Sequence, residues 1–307
     1  HGYIKDLGEQ FDCLSNPALP AELKEYALNV ILNPVLEMTR TRKVKANRYL
    51  ITSENFTMPA RHSTTDIDDG RNSFGINFTL SFILEGLNGL SREDRIWERA
   101  KQQLTVIESF LTICDQNSQS ISEHVRYLRT EYNQKAPDSV VIHADYTSKS
   151  SRNLEISLRR TIDFQDTVQV LTDYRPEPEV LLKVKRPDAY LIEGATGQML
   201  EMLQQHQITF EILKIKKQFL VESFEIQGRD TLHYENRDTI IPNGSFTRLK
   251  KAFPAGTILV PTDNIQAIRI VQMLEPMSFY GLSHYDEYQF LNQGKIFPVH
   301  RVISLKK

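Results

Sequence analysis

Cysteine is scarce: the 307 residues hold two, Cys13 and Cys114. Two thiols make neither a disulfide framework nor a zinc knuckle, and they leave the redox compartment open. Cys13 with a distant histidine carries no nucleophile signature, and Cys114 falls on the apolar stripe of an expected helix, where it reads as core. An excess of one charge is lacking too. Lys and Arg total 37 against 39 Asp and Glu, a formal net charge of -2, so nothing points to a nucleic-acid or membrane-surface partner. No apolar run approaches the roughly 20 residues that span a bilayer. No secretory signal stands at the start. The chain opens on His1-Gly2-Tyr3 without an initiator Met, which fits a processed or truncated product or the remainder of a tag. Also missing are a G-x-S-x-G elbow, a P-loop and a G-x-G-x-x-G turn, which removes serine hydrolases of that type, P-loop NTPases and dinucleotide enzymes.

What is present is ordinary globular composition, 40% hydrophobic and 25% charged, long enough for about two domains. Pro20 opens a helix where its missing N–H costs nothing, with Leu23, Tyr26, Ala27, Val30 and Ile31 on one face. Pro34 ends or kinks it. Residues 52–72 are polar and rich in turn formers, and a loop that long is functional or mobile. Asp66, Asp68 and Asp69 within it miss the calcium-loop pattern. Ser91 with Asp94 resembles a capping box and begins a long helix whose expected buried stripe is Ile96, Ala100, Leu104, Ile107, Leu111 and Cys114. A second helix ends before Pro137. Beyond it the character changes. Residues 140–143 and 168–171 read as strands, 175–178 as a stiff linker, and 187–213 as a strand-helix-strand unit. Gly194-Ala195-Thr196-Gly197 is an ordinary helix start. Residues 219–300 read as mostly strands. The fold class is therefore α/β, divided into 1–137 and an α/β and β-rich region at 138–307.

The stretch Gly75-Ile76-Asn77-Phe78-Thr79-Leu80-Ser81-Phe82-Ile83-Leu84-Glu85 carries the strongest signal. Ile76, Phe78, Leu80 and Phe82 alternate, and the run continues through Ile83 and Leu84, as in a strand covered on both sides. It stops on Glu85, before Gly86-Leu87-Asn88-Gly89. Open α/β sheets place their chemistry at the carboxyl ends of strands. Glu85 is thus the leading candidate residue, against a plain turn-capping carboxylate.

These residues resemble the last core strand of the zinc carboxypeptidases of the carboxypeptidase A type. Arg186-Pro187-Asp188-Ala189-Tyr190, Ala252-Phe253-Pro254-Ala255-Gly256-Thr257, Met273-Leu274-Glu275-Pro276 and Tyr280-Gly281-Leu282 are similar to the carboxy-terminal region of large bacterial carboxypeptidase-like proteins. The resemblance implies the second half of a partial zinc-carboxypeptidase-like mixed sheet over residues 1 to about 115, followed by an accessory domain. It implies a zinc cofactor, Glu85 as general base, and hydrolysis of a carboxy-terminal peptide bond or of a related amide in a peptidoglycan stem. A catalytic zinc needs three protein ligands and an open position. His1 in His1-Gly2-Tyr3 matches the family's third ligand. The family's H-x-x-E pair has no counterpart before Glu85. His284-Tyr285-Asp286-Glu287 matches it by letter but lies in the tail and reads as coincidence. Arginines of the family grip the substrate carboxylate bidentately. Arg71, with Arg61, flanks the loop before Glu85, where solvated loop arginines are the plainer alternative. No tyrosine between Thr52 and Gly75 can cap a substrate. The resemblance further implies a periplasmic or extracellular location.

Two expectations follow. One is a metallocarboxypeptidase with Glu85 activating zinc-bound water. The other is a non-catalytic peptidase-like binding or scaffold module without a complete zinc site. An incomplete sheet would also leave an apolar face uncovered, so the chain is expected either to pair with another chain, as a homo-oligomer or with a missing N-terminal segment, or to be poorly soluble.

Overall fold

Pro20 stands at the cap of the first helix, Ala21–Tyr26. The computed structural model describes residues 3–5, 8–53, 56–86, 96–160, 163, 165–234 and 237–304. The elements are β1 (Tyr3–Lys5), β2 (Glu9–Asp12), α1 (Ala21–Tyr26), α2 (Asn33–Thr41), β3 (Ala46–Asn47), β4 (Ala60–Arg61), α3 (Gly70–Gly75), β5 (Ile83–Glu85), α4 (Ile96–Gln116) and α5 (Ser118–Gln134). Then come β6 (Ser139–Asp145), β7 (Arg152–Arg160), β8 (Asp166–Arg175), β9 (Glu179–Lys185), β10 (Ala189–Ile192), α6 (Gly197–Gln205) and β11 (Glu211–Ile212). The long strands β12 (Lys217–Tyr234) and β13 (Arg237–Phe253) precede β14 (Ile258–Pro261), α7 (Ala267–Leu274) and β15 (Val299–Val302). Helices take 34% and strands 33%, so the class is mixed α/β. Among the described residues no helix is long and apolar enough to cross a membrane.

The chain divides into two units, residues 1–128 with 144–180 and residues 129–143 with 181–307. The division expected at 137–138 departs from these units over residues 129–137, which belong to the second, and over 144–180, which belong to the first. Residues 144–180 join the first unit because β7 and β8 pair with each other and with β1 and β4.

In the first unit, β2 lies between β3, parallel to it, and β5, antiparallel. Pro34 does not end the helical run. Ala27–Leu32 widens into a π-helical turn and α2 continues past it. A wider turn makes room for the proline ring, which would otherwise meet the carbonyl four residues back. Leu23, Ala27 and Ile31 are buried as their spacing requires.

The strand expected over residues 75–85 forms only at its end, Ile83–Glu85. The residues before it close α3, which Asp69 caps by accepting from the Arg71 amide. Phe78 then turns the chain back with φ +57°, its amide bonded to Gly75 O at 2.8 Å. The apolar side chains still reach the core. Ile76 and Phe78 are buried, and Phe82 stacks on Phe11 at 5.3 Å between centroids. An apolar run fixes what is buried, not the backbone that buries it.

Helix α4 corrects a second expectation. Its core-facing residues are Val106, Ser109 and Ile113, with Phe110 and Cys114 partly buried beside them. Ile96, Leu104, Ile107 and Leu111 of the expected stripe are exposed. The helix carries two apolar faces, and periodicity alone picked the wrong one.

The second unit is built on a six-stranded sheet in the order β11-β14-β10-β15-β12-β13. β12 and β13 form a long hairpin, bulged between Ile226 and Gly228. Successive residues of a strand face opposite sides, and this sheet puts a polar cluster on each. On one side Tyr190 donates to Glu275 Oε1 at 2.6 Å. Arg301 Nε meets the same oxygen at 2.7 Å, and its guanidinium lies 3.6 Å from the Phe246 ring centroid. Glu275 is fully buried (1% exposed). Removing one partner of a buried ion pair strands the other charge, at a cost of about 3–5 kcal/mol. Arg301→Leu is therefore expected to lower the urea-unfolding free energy by roughly that amount; a loss below about 1 kcal/mol would mean that Glu275 does not depend on it.

Candidate functional site

β2 ends on a carboxylate with 1% exposure, Asp12. Burying a charge is unfavourable unless it is paired and hydrogen-bonded. Arg48 supplies the pair, Nη2 to Oδ1 at 3.0 Å and Nε to Oδ2 at 3.2 Å, and the Cys13 amide donates to Oδ1 at 2.9 Å. Buried His62 lies on the other side, with Nδ1 3.6 Å from Asp12 Oδ2. Burial pushes the His62 pKa down and the Arg48 charge adds to it, against a pull from Asp12. A neutral ring with the proton on Nδ1 fits its contacts. Nδ1 donates to Tyr49 O at 2.7 Å, and Nε2 accepts from the Tyr174 hydroxyl.

These bonds hold residues 48–50 against β2, and the Leu50 amide adds another to Gln10 Oε1 at 2.9 Å. Tyr49 is thereby fixed, half-buried. The Arg71 guanidinium lies 5.6 Å from its ring centroid. Arg71 is 4% exposed and is forked onto Asp69 at 3.1 and 2.9 Å. Its Nη2 also donates to Ser63 Oγ, while Nη1 is buried with no hydrogen-bond partner among the described residues. Burial works against the Asp69 charge, but hydrogen bonds from Arg71 outweigh it and hold that carboxyl below its ordinary value. Half-buried Arg61 donates to Ser63 O and lies 5.8 Å from the Tyr146 ring centroid.

Glu85 ends β5 opposite Gln10 and is exposed. The Tyr49 pKa is raised, first by burial and then by the Glu85 charge, with Asp69 adding to it and Arg71 and Arg61 opposing. Two carboxylates and two guanidiniums therefore act on one phenol. Of the candidates read from sequence, Arg71 lies beside the Tyr49 ring, and the Glu85 charge acts on its hydroxyl. His1 lies outside the described residues.

A zinc carboxypeptidase requires three converging protein ligands. Among the described residues no three His, Cys, Asp or Glu side chains come together as metal ligands. His62 has both ring nitrogens engaged, and His284 sits in a short 3-10 turn apart from any such group. The described residues do not fit a catalytic zinc, and no step is assigned to one.

A second constellation, in the other unit, was not visible in the sequence. Buried His300 shares Nδ1 with Ser223 Oγ at 2.8 Å and Nε2 with Glu193 Oε2 at 2.8 Å, and Lys251 Nζ reaches both Glu193 and His300 Nε2. Serine, histidine and a carboxylate invite a nucleophilic reading. Ser223, however, lies buried within β12, where no reacting carbonyl can approach. The cluster works as a clamp across β15, β12, β13 and the residue that follows β10. Burial and then Lys251 lower the His300 pKa, with Glu193 opposing.

No family model matches the chain, and no curated protein or solved structure matches it either.

Two measurements check these electrostatics. Burial, with Asp12 beside it, pushes the Cys13 thiol up from 9.0 to about 12. At pH 8 a thiol reagent is expected to leave Cys13 unlabelled in the native chain and to reach it only in denaturant; rapid native labelling would contradict that burial. His62 and His300 both titrate below the ordinary 6.5 in the fold. The unfolded chain therefore binds more protons as pH falls below about 6.5. The stability from these imidazoles is whole above that value and is lost as pH falls through their folded values. Unfolding free energy is expected to drop between pH 7 and pH 5, by at most about 1.4 kcal/mol per pH unit for each ring, and His300→Gln is expected to flatten the slope. A rise over that interval would reverse the assignment.

Proposed function

We propose that the first unit is a carboxypeptidase-like recognition module that holds the carboxy-terminal end of a peptide, or of a peptidoglycan stem, at Tyr49. The observation that carries this reading is the half-buried Tyr49 ring: the Arg71 guanidinium lies 5.6 Å from its centroid, and the charges of Glu85 and Arg61 also act on its hydroxyl. A peptide end presents a carboxylate, an amide N–H and a side chain. Arg61, half-buried rather than sealed, takes the carboxylate, as a guanidinium does best. Arg71, committed to Asp69, adds positive field rather than a direct grip. The Tyr49 ring gives an apolar floor. Exposed Glu85 accepts from the last amide or from a stem amine.

A hydrolytic reading rests on the exposure of Glu85 at a strand end. It places the zinc ligands outside the described residues, His1 among them. The resemblance noted in the sequence supports both readings and carries a periplasmic or extracellular location with them.

The test is calorimetric titration with N-acetyl-Lys-D-Ala-D-Ala and with its carboxy-terminal amide. The acid is expected to bind at least about tenfold tighter, ~1.4 kcal/mol, and Arg61→Ala to remove the preference. Equal affinities, or no heat at millimolar peptide, would sink the proposal. Release of terminal D-Ala by the wild-type chain but not by Glu85→Gln would favour hydrolysis.

A further inference from the structure

The outer edge of β13 is an open strand edge set among unpaired cations, and we propose that it takes an acidic, extended segment of a partner protein as an added strand. β13 closes the six-stranded sheet on one side. Which of its backbone groups point outward follows from the far side of β12. There Leu220 O accepts from Ile303 N at 3.2 Å and Phe224 O from Phe297 N at 3.0 Å, so the even residues of β12 turn their peptide groups away from β13. The odd residues Phe219, Val221 and Ser223 therefore bond Lys251, Leu249 and Thr247 opposite them, because bonding pairs alternate in an antiparallel ladder. That leaves the amides and carbonyls of Arg248, Lys250 and Ala252 facing outward. They bond no other segment among the described residues. An edge of this kind is a template for a further strand. The other end of β13 is already met, since Thr239 Oγ1 donates to His284 O at 3.2 Å. The open part is the end towards Phe253.

Charge decides which strand fits. Residues 214–222 and 246–253 hold six cations and one carboxylate, Glu222, although the whole chain has a net charge of -2. Lys251 is engaged with Glu193 and His300, and Glu222 with Arg301. Lys214, Lys216, Lys217, Arg248 and Lys250 are exposed, and none has an ion pair among the described residues. Lys214 and Lys216 are brought to this end because Leu213 bonds Gly256 and Thr257, just past β13. Opposed residues of the hairpin share a face. Arg248 and Lys250 therefore lie on one face, and Lys217 and Lys251 on the other. A flat anionic surface would meet one face only. A strand laid along the edge lies between the two, and successive acidic residues of that strand project to both. Cations on an edge repel strands of like charge; the same field attracts an acidic one. Leu249, 38% exposed, adds an apolar contact at the edge.

The experiment uses the full chain and a fluorescein-labelled peptide, Val-Glu-Glu-Ile-Glu-Glu-Val. Its carboxy terminus is an amide, so it lacks the group proposed to bind beside Tyr49. Fluorescence polarisation is expected to show saturable binding, weakened at least about tenfold by Arg248→Glu with Lys250→Glu. Both positions are exposed, so the circular dichroism spectrum is expected to be unchanged. The same peptide methylated on every backbone nitrogen keeps its charge and is expected not to bind, a control that needs no variant. Hydrogen exchange is expected to slow at the amides of Arg248, Lys250 and Ala252 when the peptide is added. No binding at millimolar peptide would overturn the proposal. So would equal binding of the methylated peptide, which would reduce the contact to charge alone, or tighter binding of single-stranded oligothymidylate, which would make the partner a nucleic acid. None of these outcomes depends on peptide binding at Tyr49, so the two proposals fail independently.

Discussion

Asp12 is a carboxylate sealed at the end of a strand, and an uncompensated buried charge costs several kcal/mol. Arg48, the Cys13 amide and the edge of His62 meet that demand. Meeting it has consequences. Arg48 is next to Tyr49 in sequence, and His62 bonds the Tyr49 carbonyl, so satisfying Asp12 also sets the position of the tyrosine around which the candidate site is built. Without Asp12, residues 48–50 would keep the Gln10 bond to Leu50 but lose the charge that orders them. The site is thus a by-product of neutralising one buried group, and its charges stand where the fold needs them.

Elements with local signals were legible in the sequence. Pro20 marked α1, the apolar run Val140-Val141-Ile142 marked β6, and 189–205 gave a strand and then a helix. Two features were misread for a common reason. The run 76–83 is apolar enough for a strand, yet Asp69 caps a short helix ahead of it and Phe78 turns the chain with a positive φ. In α4 the larger apolar residues mark the exposed side, while the buried side includes a serine. Hydrophobic pattern reports that a face will be covered, not by what.

The site was legible only in part. Glu85 stood out because a charge ended an apolar run, and Arg71 because it flanked a long polar loop. Asp12, Arg48 and His62 carried no signal, since their spacing of 36 and 50 residues belongs to no motif and their pairing exists only in three dimensions. The clamp at His300 is the same case, drawn from three strands and the residue that follows β10. Its sheet carries charge on both faces, each group held by neighbours on adjacent strands, which fixes strand order more tightly than apolar contacts alone. The unpartnered face of α4 belongs with these features. It follows from the same apolar excess that made the helix legible.

The most direct test of the account is the titration of Tyr49, followed by carbon-13 NMR of ring-labelled protein in the wild-type chain and in Glu85→Gln. The account places Glu85 close enough to act on this phenol. It therefore predicts that Tyr49 titrates above the ordinary value of about 10, and that removing the Glu85 charge brings the titration down. A Tyr49 pKa that is ordinary in the wild type, or unmoved by Glu85→Gln, would contradict the action of these charges on which the proposed function stands.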